Sequence, residues 1–150
     1  AYLAGKGIAC VLPWGSTVEQ QRSRRLAEQV PNAVIPPALT LAQAAALLSH
    51  AAAAVGVDTG LVHLAAALNV PAIAIYCASD PGLTGLHVSS GQAANLGGAG
   101  TPPGAASVID ALNGMVKLSA STQAPPHTQS VRPHPNPPPQ AGEGANVKGA

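Results

Sequence analysis

Phenylalanine is absent from this 150-residue chain, and Trp14, Tyr2 and Tyr76 are its only aromatic side chains. Any core must therefore be built from small aliphatics, since 47% of the residues are hydrophobic and most of these are Ala, Val, Leu or Ile. Such side chains suit close packing of helices on a buried parallel sheet. Charge is equally scarce: Asp, Glu, Lys and Arg make up 9% of the chain and the formal balance is +1. This argues against a nucleic-acid surface, because beyond Arg22, Arg24 and Arg25 on one stretch there is no basic field to meet a phosphate backbone. Cysteine is limited to Cys10 and Cys77, too few for a disulfide framework and without metal-ligand spacing, so both read as small, semi-buried thiols. Long apolar runs are missing as well. None approaches the roughly 20 residues of a membrane span, and no charged start with an apolar stretch marks a signal peptide. A soluble cytoplasmic protein is the default expectation.

What is present is an alternation of short apolar runs and helical patterns. The length allows one domain, and a start at Ala1 rather than Met suggests a piece of a longer protein. Residues 7–12 form an apolar run closed by Pro13, Trp14 and Gly15, which predicts a buried strand. Residues 18–30 carry Val18, Leu26, Ala27 and Val30 on one side and mostly charged or amide side chains on the other, an amphipathic helix. Residues 32–35 predict a weak strand before Pro36 and Pro37. Thr40 then caps a helix from Leu41 to about His50, with Gln43 in the capping-box position. Residues 51–57 predict a strand, 61–68 a helix, and 72–76 another strand after the break Asn69-Val70-Pro71. A last helix is expected from about Ala106 to Leu118, with Val108, Ile109, Leu112 and Met115 as its apolar stripe. Strand and helix in alternation point to a doubly wound, Rossmann-like α/β fold with right-handed parallel crossovers.

The composition changes at Ser119. From there to Ala150 the chain is rich in Pro, Gln, Ser, His and Gly, and a segment so poor in apolar side chains cannot offset its ordering entropy. The expectation is a domain over residues 1–118 and a disordered, Pro-rich tail over 119–150. His127 and His134 in that tail lack the organised cluster that metal binding needs.

The stretch from Val55 to Leu68 is the most informative, because an apolar strand stops at Asp58-Thr59-Gly60 and restarts as a helix. Asp58 or Thr59 is the N-cap, and the helix start offers free N–H groups and a positive dipole end that favour a phosphate or diphosphate over Thr59 and Gly60. His63 follows one turn later on the same side. Each of these residues also has a plain reading: Asp58 as a cap, Gly60 as a packing residue, His63 as a surface histidine. As a set at the carboxyl edge of the sheet they are more specific. Glu19, after Trp14-Gly15 at the same edge, has a carboxylate that can accept from a ribose diol, or can simply sit well at a helix start. Asp80, in Asp80-Pro81-Gly82-Leu83-Thr84-Gly85, overlooks that edge too, although as a turn it needs no function.

These pieces, in order, resemble the bacterial lipopolysaccharide heptosyltransferases, most closely the heptosyltransferase I group. The resemblance is carried by Leu12-Pro13-Trp14-Gly15 with Glu19 and Arg24-Arg25-Leu26-Ala27, by Leu39-Thr40-Leu41, by the run from Val57 to Leu68, and by residues 80–85, and covers about residues 1–118. It implies the C-terminal, donor-binding half of a GT-B glycosyltransferase, an enzyme that transfers a heptose from ADP-heptose to a Kdo sugar of the lipid A inner core, with inversion and without a metal or other cofactor. It further implies Asp58 near heptose hydroxyls, the Thr59 and Gly60 amides on phosphate, His63 completing that wall, Glu19 on the adenosine ribose, and Asp80 beside the donor. The catalytic base, the acceptor site and a basic segment that helps hold the diphosphate would lie in the part of such an enzyme that precedes Ala1, so the chain alone is expected to be inactive, and peripheral contact with the inner membrane would depend mostly on that part. The family usually has Gly-Pro-Thr where this chain has Cys77-Ala78-Ser79. Two other readings share the fold: a non-catalytic truncated remnant, and another nucleotide-sugar enzyme such as an epimerase or hexosyltransferase.

Overall fold

A computed structural model describes residues 2–57, 59–87 and 92–117. The chain runs through α1 (Tyr2–Gly5), β1 (Cys10–Val11), α2 (Thr17–Ala27), β2 (Ala33–Val34), α3 (Leu41–Ser49), β3 (Ala54–Gly56), α4 (Gly60–Ala67), β4 (Ala72–Tyr76), α5 (Pro81–Thr84), β5 (Ala93–Gly97) and α6 (Ala105–Met115). All strand pairings are parallel: β1 with β2, β3 with β4, and β4 with β5. The α/β class with parallel sheets is as expected from the alternation. The hydrogen-bonded strands nevertheless fall into two sheets, β1-β2 and β3-β4-β5, with a cleft where β1 and β3 face each other. The ladders are also shorter than the apolar runs. Ala and Gly, which make up residues 51–56 apart from Val55, are weak strand formers, and only the stretch held against β4 enters the ladder.

Helix starts follow local chemistry. Ser16 caps α2 by accepting from the Glu19 amide, and Thr40 caps α3 in a full capping box with Gln43, at 3.3 Å and 2.9 Å for its two bonds. The break after α4 is a Schellman ending: Asn69 takes the left-handed conformation at φ 58°, the Val70 amide donates to Ala65 O, and the Asn69 amide donates to Ala66 O. Pro71 then prevents any continuation of the helix. This ending turns the chain directly into β4.

The core lies on both faces of β4. Ala72, Ala74 and Tyr76 meet Val62, Ala65, Ala66 and Val70 from α4 and its ending, together with Leu86. Strand alternation sends Ile73 to the other face, where it is fully buried and where α6 packs along β4 and β5. With so much alanine, few side chains supply bulk. Tyr76, Ile73 and Val62 are the largest that are completely buried.

The alternation did not foretell α1, α5 or β5. Pairing with β4 makes a strand of Ala93-Ala94-Asn95-Leu96-Gly97 despite its poor strand propensity. The last helix begins one residue earlier than expected and ends at Met115. Cys10 is half-buried in β1, whereas Cys77, just past β4, is exposed. The expected Pro-rich tail lies outside the described residues.

Candidate functional site

The parallel strands deliver three connections to one edge: residues 12–16 after β1, Val57 and Thr59 after β3, and residues 77–80 after β4. β1 leads away to β2 on one side, while β3 leads to β4 and β5 on the other. The cleft between β1 and β3 is thus a topological switch point, the place where open α/β folds take ligands. Its volume is about 1140 Å³, and its walls include Gly15, Glu19 and Arg22 from the β1 side and Thr59 and Gly60 from the β3 side. That is ample against the roughly 300–1,000 Å³ of ordinary ligand pockets.

Thr59 is the N-cap of α4, with extended backbone at φ −119° and ψ 155° and no side-chain capping bond. Its carbonyl accepts from the Val62 amide at 3.1 Å, and among the described residues the amides of Gly60 and Leu61 have no acceptor. Gly56 explains how this turn lies so close to the sheet. A Cβ there would stand 3.1 Å from Val62 Cβ and 3.3 Å from Thr59 Oγ1, so glycine lets α4 begin directly over β3.

Across the cleft, Glu19 is bound to its own loop. Its Oε2 accepts from the Gly15 amide at 2.8 Å, while its amide donates to Ser16 Oγ at 3.3 Å. The Gly15 bond holds the carboxyl below its ordinary 4.5, helped by Ser16 and the positive Arg22 and opposed by desolvation. A carboxyl with a lowered folded-state pKa contributes stability that is present above about 4.5 and lost as pH falls through the lower folded value. Urea unfolding at successive acidic pH values should therefore show a flatter profile for Glu19→Gln than for the parent chain. Coincident acid limbs would sink this account. Trp14 braces the same loop from behind, its Nε1–H donating to Pro36 O at 2.9 Å.

The structure thus brings Glu19, Thr59 and Gly60 to one cleft. Asp58 lies outside the described residues. His63 is exposed on α4 and does not line the cleft. Asp80 is also outside the lining: it N-caps α5, its Oδ1 accepting from the Gly82 amide at 2.8 Å, with Pro81 in the first helical position. The end of this short helix is fixed by two side chains. Tyr76 Oη donates to Thr84 O at 3.1 Å, and Asn95 clasps Leu86, accepting from its amide at 2.8 Å and donating to its carbonyl at 3.1 Å. Sequence reasoning overlooked Arg22, the one Lys or Arg among the described residues lining the cleft. Its position one helical turn after Glu19 was the available signal. Among the described residues no group of three or more His, Cys, Asp or Glu is placed to hold a metal ion, and no helix is long and apolar enough to cross a membrane.

Known proteins resemble this chain in sequence and fold. Residues 1–102 match the family described as Glycosyltransferase family 9 (heptosyltransferase). Lipopolysaccharide heptosyltransferase 1 of Pseudomonas aeruginosa is 48% identical over 82 residues, a match covering 55% of this chain and 23% of that protein. The protein of the same name from Escherichia coli K12 is 46% identical over 83 residues, covering 55% of this chain and 26% of its own length. The chain therefore spans about a quarter of the curated relatives it matches. Among solved structures, E. coli heptosyltransferase WaaC with ADP superposes with a TM-score of 0.69 at 35% identity, over 77% of this chain and 36% of that one. The same enzyme with ADP-2-deoxy-2-fluoro heptose gives a TM-score of 0.57 at 36% identity, over 66% and 29% of the two chains. The fold, the switch-point cleft and the matched sequence lead to one conclusion: the chain belongs to glycosyltransferase family 9, the heptosyltransferase family.

Proposed function

We propose that this chain is the donor-binding part of a lipopolysaccharide heptosyltransferase, holding ADP-heptose for transfer of the heptose to a Kdo sugar of the lipid A inner core. The observation that carries this reading is the start of α4, where Thr59 makes no side-chain capping bond and the Gly60 and Leu61 amides lie, without an acceptor among the described residues, beside a cleft that also holds Arg22 and Glu19. A diphosphate suits that place because it accepts from both amides and meets the positive end of the helix, with Arg22 supplying a full charge. Glu19 keeps its carboxylate ionised toward the ribose of the adenosine, since its folded environment favours the charged form. Asp58 and His63 take the heptose hydroxyls and the flanking wall, and Asp80 lies with its loop on the donor side. Support comes from relatives whose structures were solved with ADP and with an ADP-heptose analogue.

In the proposed reaction the acceptor hydroxyl attacks the anomeric carbon from the face opposite the diphosphate, and the bond to ADP breaks with inversion. The work of this chain is to bind, to orient and to stabilise the negative charge that grows on the leaving ADP. The general base and the Kdo-lipid A site belong to the rest of the enzyme, which would work in the cytoplasm at the inner-membrane surface.

Titration calorimetry of this chain with ADP tests the reading. Saturable binding with a dissociation constant on the order of 1 mM or tighter is expected, with ADP-heptose competing better than UDP-sugars and losing affinity in Asp58→Ala. An absence of heat at millimolar ADP would overturn it, and preferential displacement by UDP-sugars would assign the cleft to a different nucleotide-sugar enzyme.

A further inference from the structure

The β1-β2 ladder ends in a way that bears on Glu19. Its rungs step two residues at a time, the Cys10 amide donating to Asn32 O and the Leu12 amide to Val34 O, so in register the next would join the Trp14 amide to Pro36 O. Pro36 has no N–H to return to Leu12 O, and the regular ladder stops there. The Pro36 carbonyl is taken instead by the Trp14 side chain, whose Nε1–H donates to it at 2.9 Å in a half-buried bond. The indole thus stands in for the main chain as the last rung. Released from that rung, the main chain at Trp14-Gly15 turns off the ladder.

The effect of this turn is seen by comparing α2 with α3. Each has a hydroxyl N-cap three residues before a side chain that can reach back, Ser16 before Glu19 and Thr40 before Gln43. Gln43 accepts from the amide of its own N-cap, as a capping box does. Glu19 accepts at 2.8 Å from Gly15, one residue further back. Its carboxylate is thereby drawn toward the connection after β1, on the cleft wall that Trp14 and Gly15 also form.

We propose that Trp14 is a positioning residue for donor binding: by closing the ladder on Pro36, its indole N–H aims the Gly15 amide that fixes where the Glu19 carboxylate meets the nucleotide. This rests on the donor reading above for the identity of the ligand, whereas the placement of Glu19 is a property of the free chain. The same bond ties the connection after β1 to the one after β2, whose Leu39 and Leu41 line the cleft as well. With only two residue pairs in the β1-β2 ladder, little else sets the spacing of those two walls. Without the N–H, residues 13–16 relax and the Gly15 bond to Glu19 loosens. The carboxyl stays ionised at neutral pH even at its ordinary 4.5, so affinity falls through placement and not through charge.

Trp14→Phe keeps an aromatic ring and removes the N–H. In the free chain, carbon NMR of the Glu19 carboxyl is expected to give a titration midpoint below 4.5 for the parent and a rise toward 4.5 for Trp14→Phe, because the Gly15 bond is the main cause of the lowering. Titration with ADP, followed by amide NMR so that weak binding is read, should show affinity reduced about 3- to 10-fold by Trp14→Phe. In a Glu19→Ala background the same substitution should change affinity less than about twofold. An unmoved carboxyl titration overturns the proposal. So does an equal loss in both backgrounds, which would mean that the ring meets the nucleotide directly or that the whole fold has suffered. Should Trp14→Phe not fold, benzothienylalanine at this position, the chain's single tryptophan, keeps the double ring with sulfur in place of the N–H, and the same two results decide. A parent chain that shows no shifts with millimolar ADP would overturn the donor reading, while the carboxyl titration alone would then uphold or reject the control of Glu19 by Trp14.

Discussion

Replacing Gly60 with proline is expected to weaken ADP binding about 10- to 100-fold while leaving the fold at least as stable. Proline lacks the N–H that Gly60 presents to the cleft, and a hydrogen bond to a charged group contributes about 1.5–3 kcal/mol, each 1.4 kcal/mol being tenfold. The position accepts the ring without strain. Gly60 is the first helical residue, where proline is favoured, and Thr59 before it is already extended at φ −119° and ψ 155°. Nothing lies within 4 Å of a Cβ built there. Restricting the unfolded chain should add about 0.4–1 kcal/mol of stability. Gly60→Ala keeps the N–H and serves as the control, with affinity close to that of the parent. Equal ADP affinity in the proline and alanine variants would remove the Gly60 amide from the proposed phosphate site, whereas loss in both would point to lost space rather than a lost donor.

Tyr76→Ala should have the largest effect on stability, about 3–5 kcal/mol in urea unfolding, the range for removing a large aromatic ring from a core. Few neighbours can compensate. The ring is completely buried among Val62, Ala65, Ala66 and other small side chains, which cannot reach into the space it would leave. Against a typical total of about 5–15 kcal/mol, such a loss places the chain near the edge of folding. Tyr76→Phe separates the ring from its hydroxyl, because it keeps the ring and removes the bond to Thr84 O, at a cost of about 1 kcal/mol for that bond. If the two variants lost equal stability, the hydroxyl rather than the ring would be the anchor.

Local chemistry was readable where it is decided within a few residues. The capping box at Thr40 and Gln43 and the break at Asn69-Val70-Pro71 both came out of neighbouring side chains and appear in the structure as written in the sequence. Helix α5 is readable by the same means, since an aspartate followed by proline is a helix start, although the same residues also suit a plain turn. Strand β5 was not readable. Its Ala, Asn and Gly form a strand only because β4 offers a partner, and that information sits in another part of the chain. The division of the sheet is non-local for the same reason, depending on what stands beside Val11 and Val55.

The site divides along the same line. Thr59 and Gly60 were legible because a strand end and a helix start are both local patterns. The bond from the Gly15 amide to Glu19 depends on how residues 13–16 bend, and that bend is braced by Trp14 against the distant Pro36. The sequence could nominate Glu19 but could not show that one of its oxygens is engaged at home. Arg22 does not stand out in the sequence, because Arg24 and Arg25 beside it give the same stretch the look of an ordinary charged surface.

The clasp of Asn95 on Leu86 bears on how quickly a ligand could be accommodated. With Leu86 held at both its amide and its carbonyl, and Thr84 held by Tyr76, the segment from Asp80 onward has its far end fastened before anything arrives. A wall ordered in advance spares an incoming molecule the entropy of immobilising it, about 0.5–1.5 kcal/mol for each side chain that would otherwise have to settle. The near end is fastened too, since the Gly100 amide donates to Cys77 O at 2.9 Å, so the loop is a strap tied at both ends.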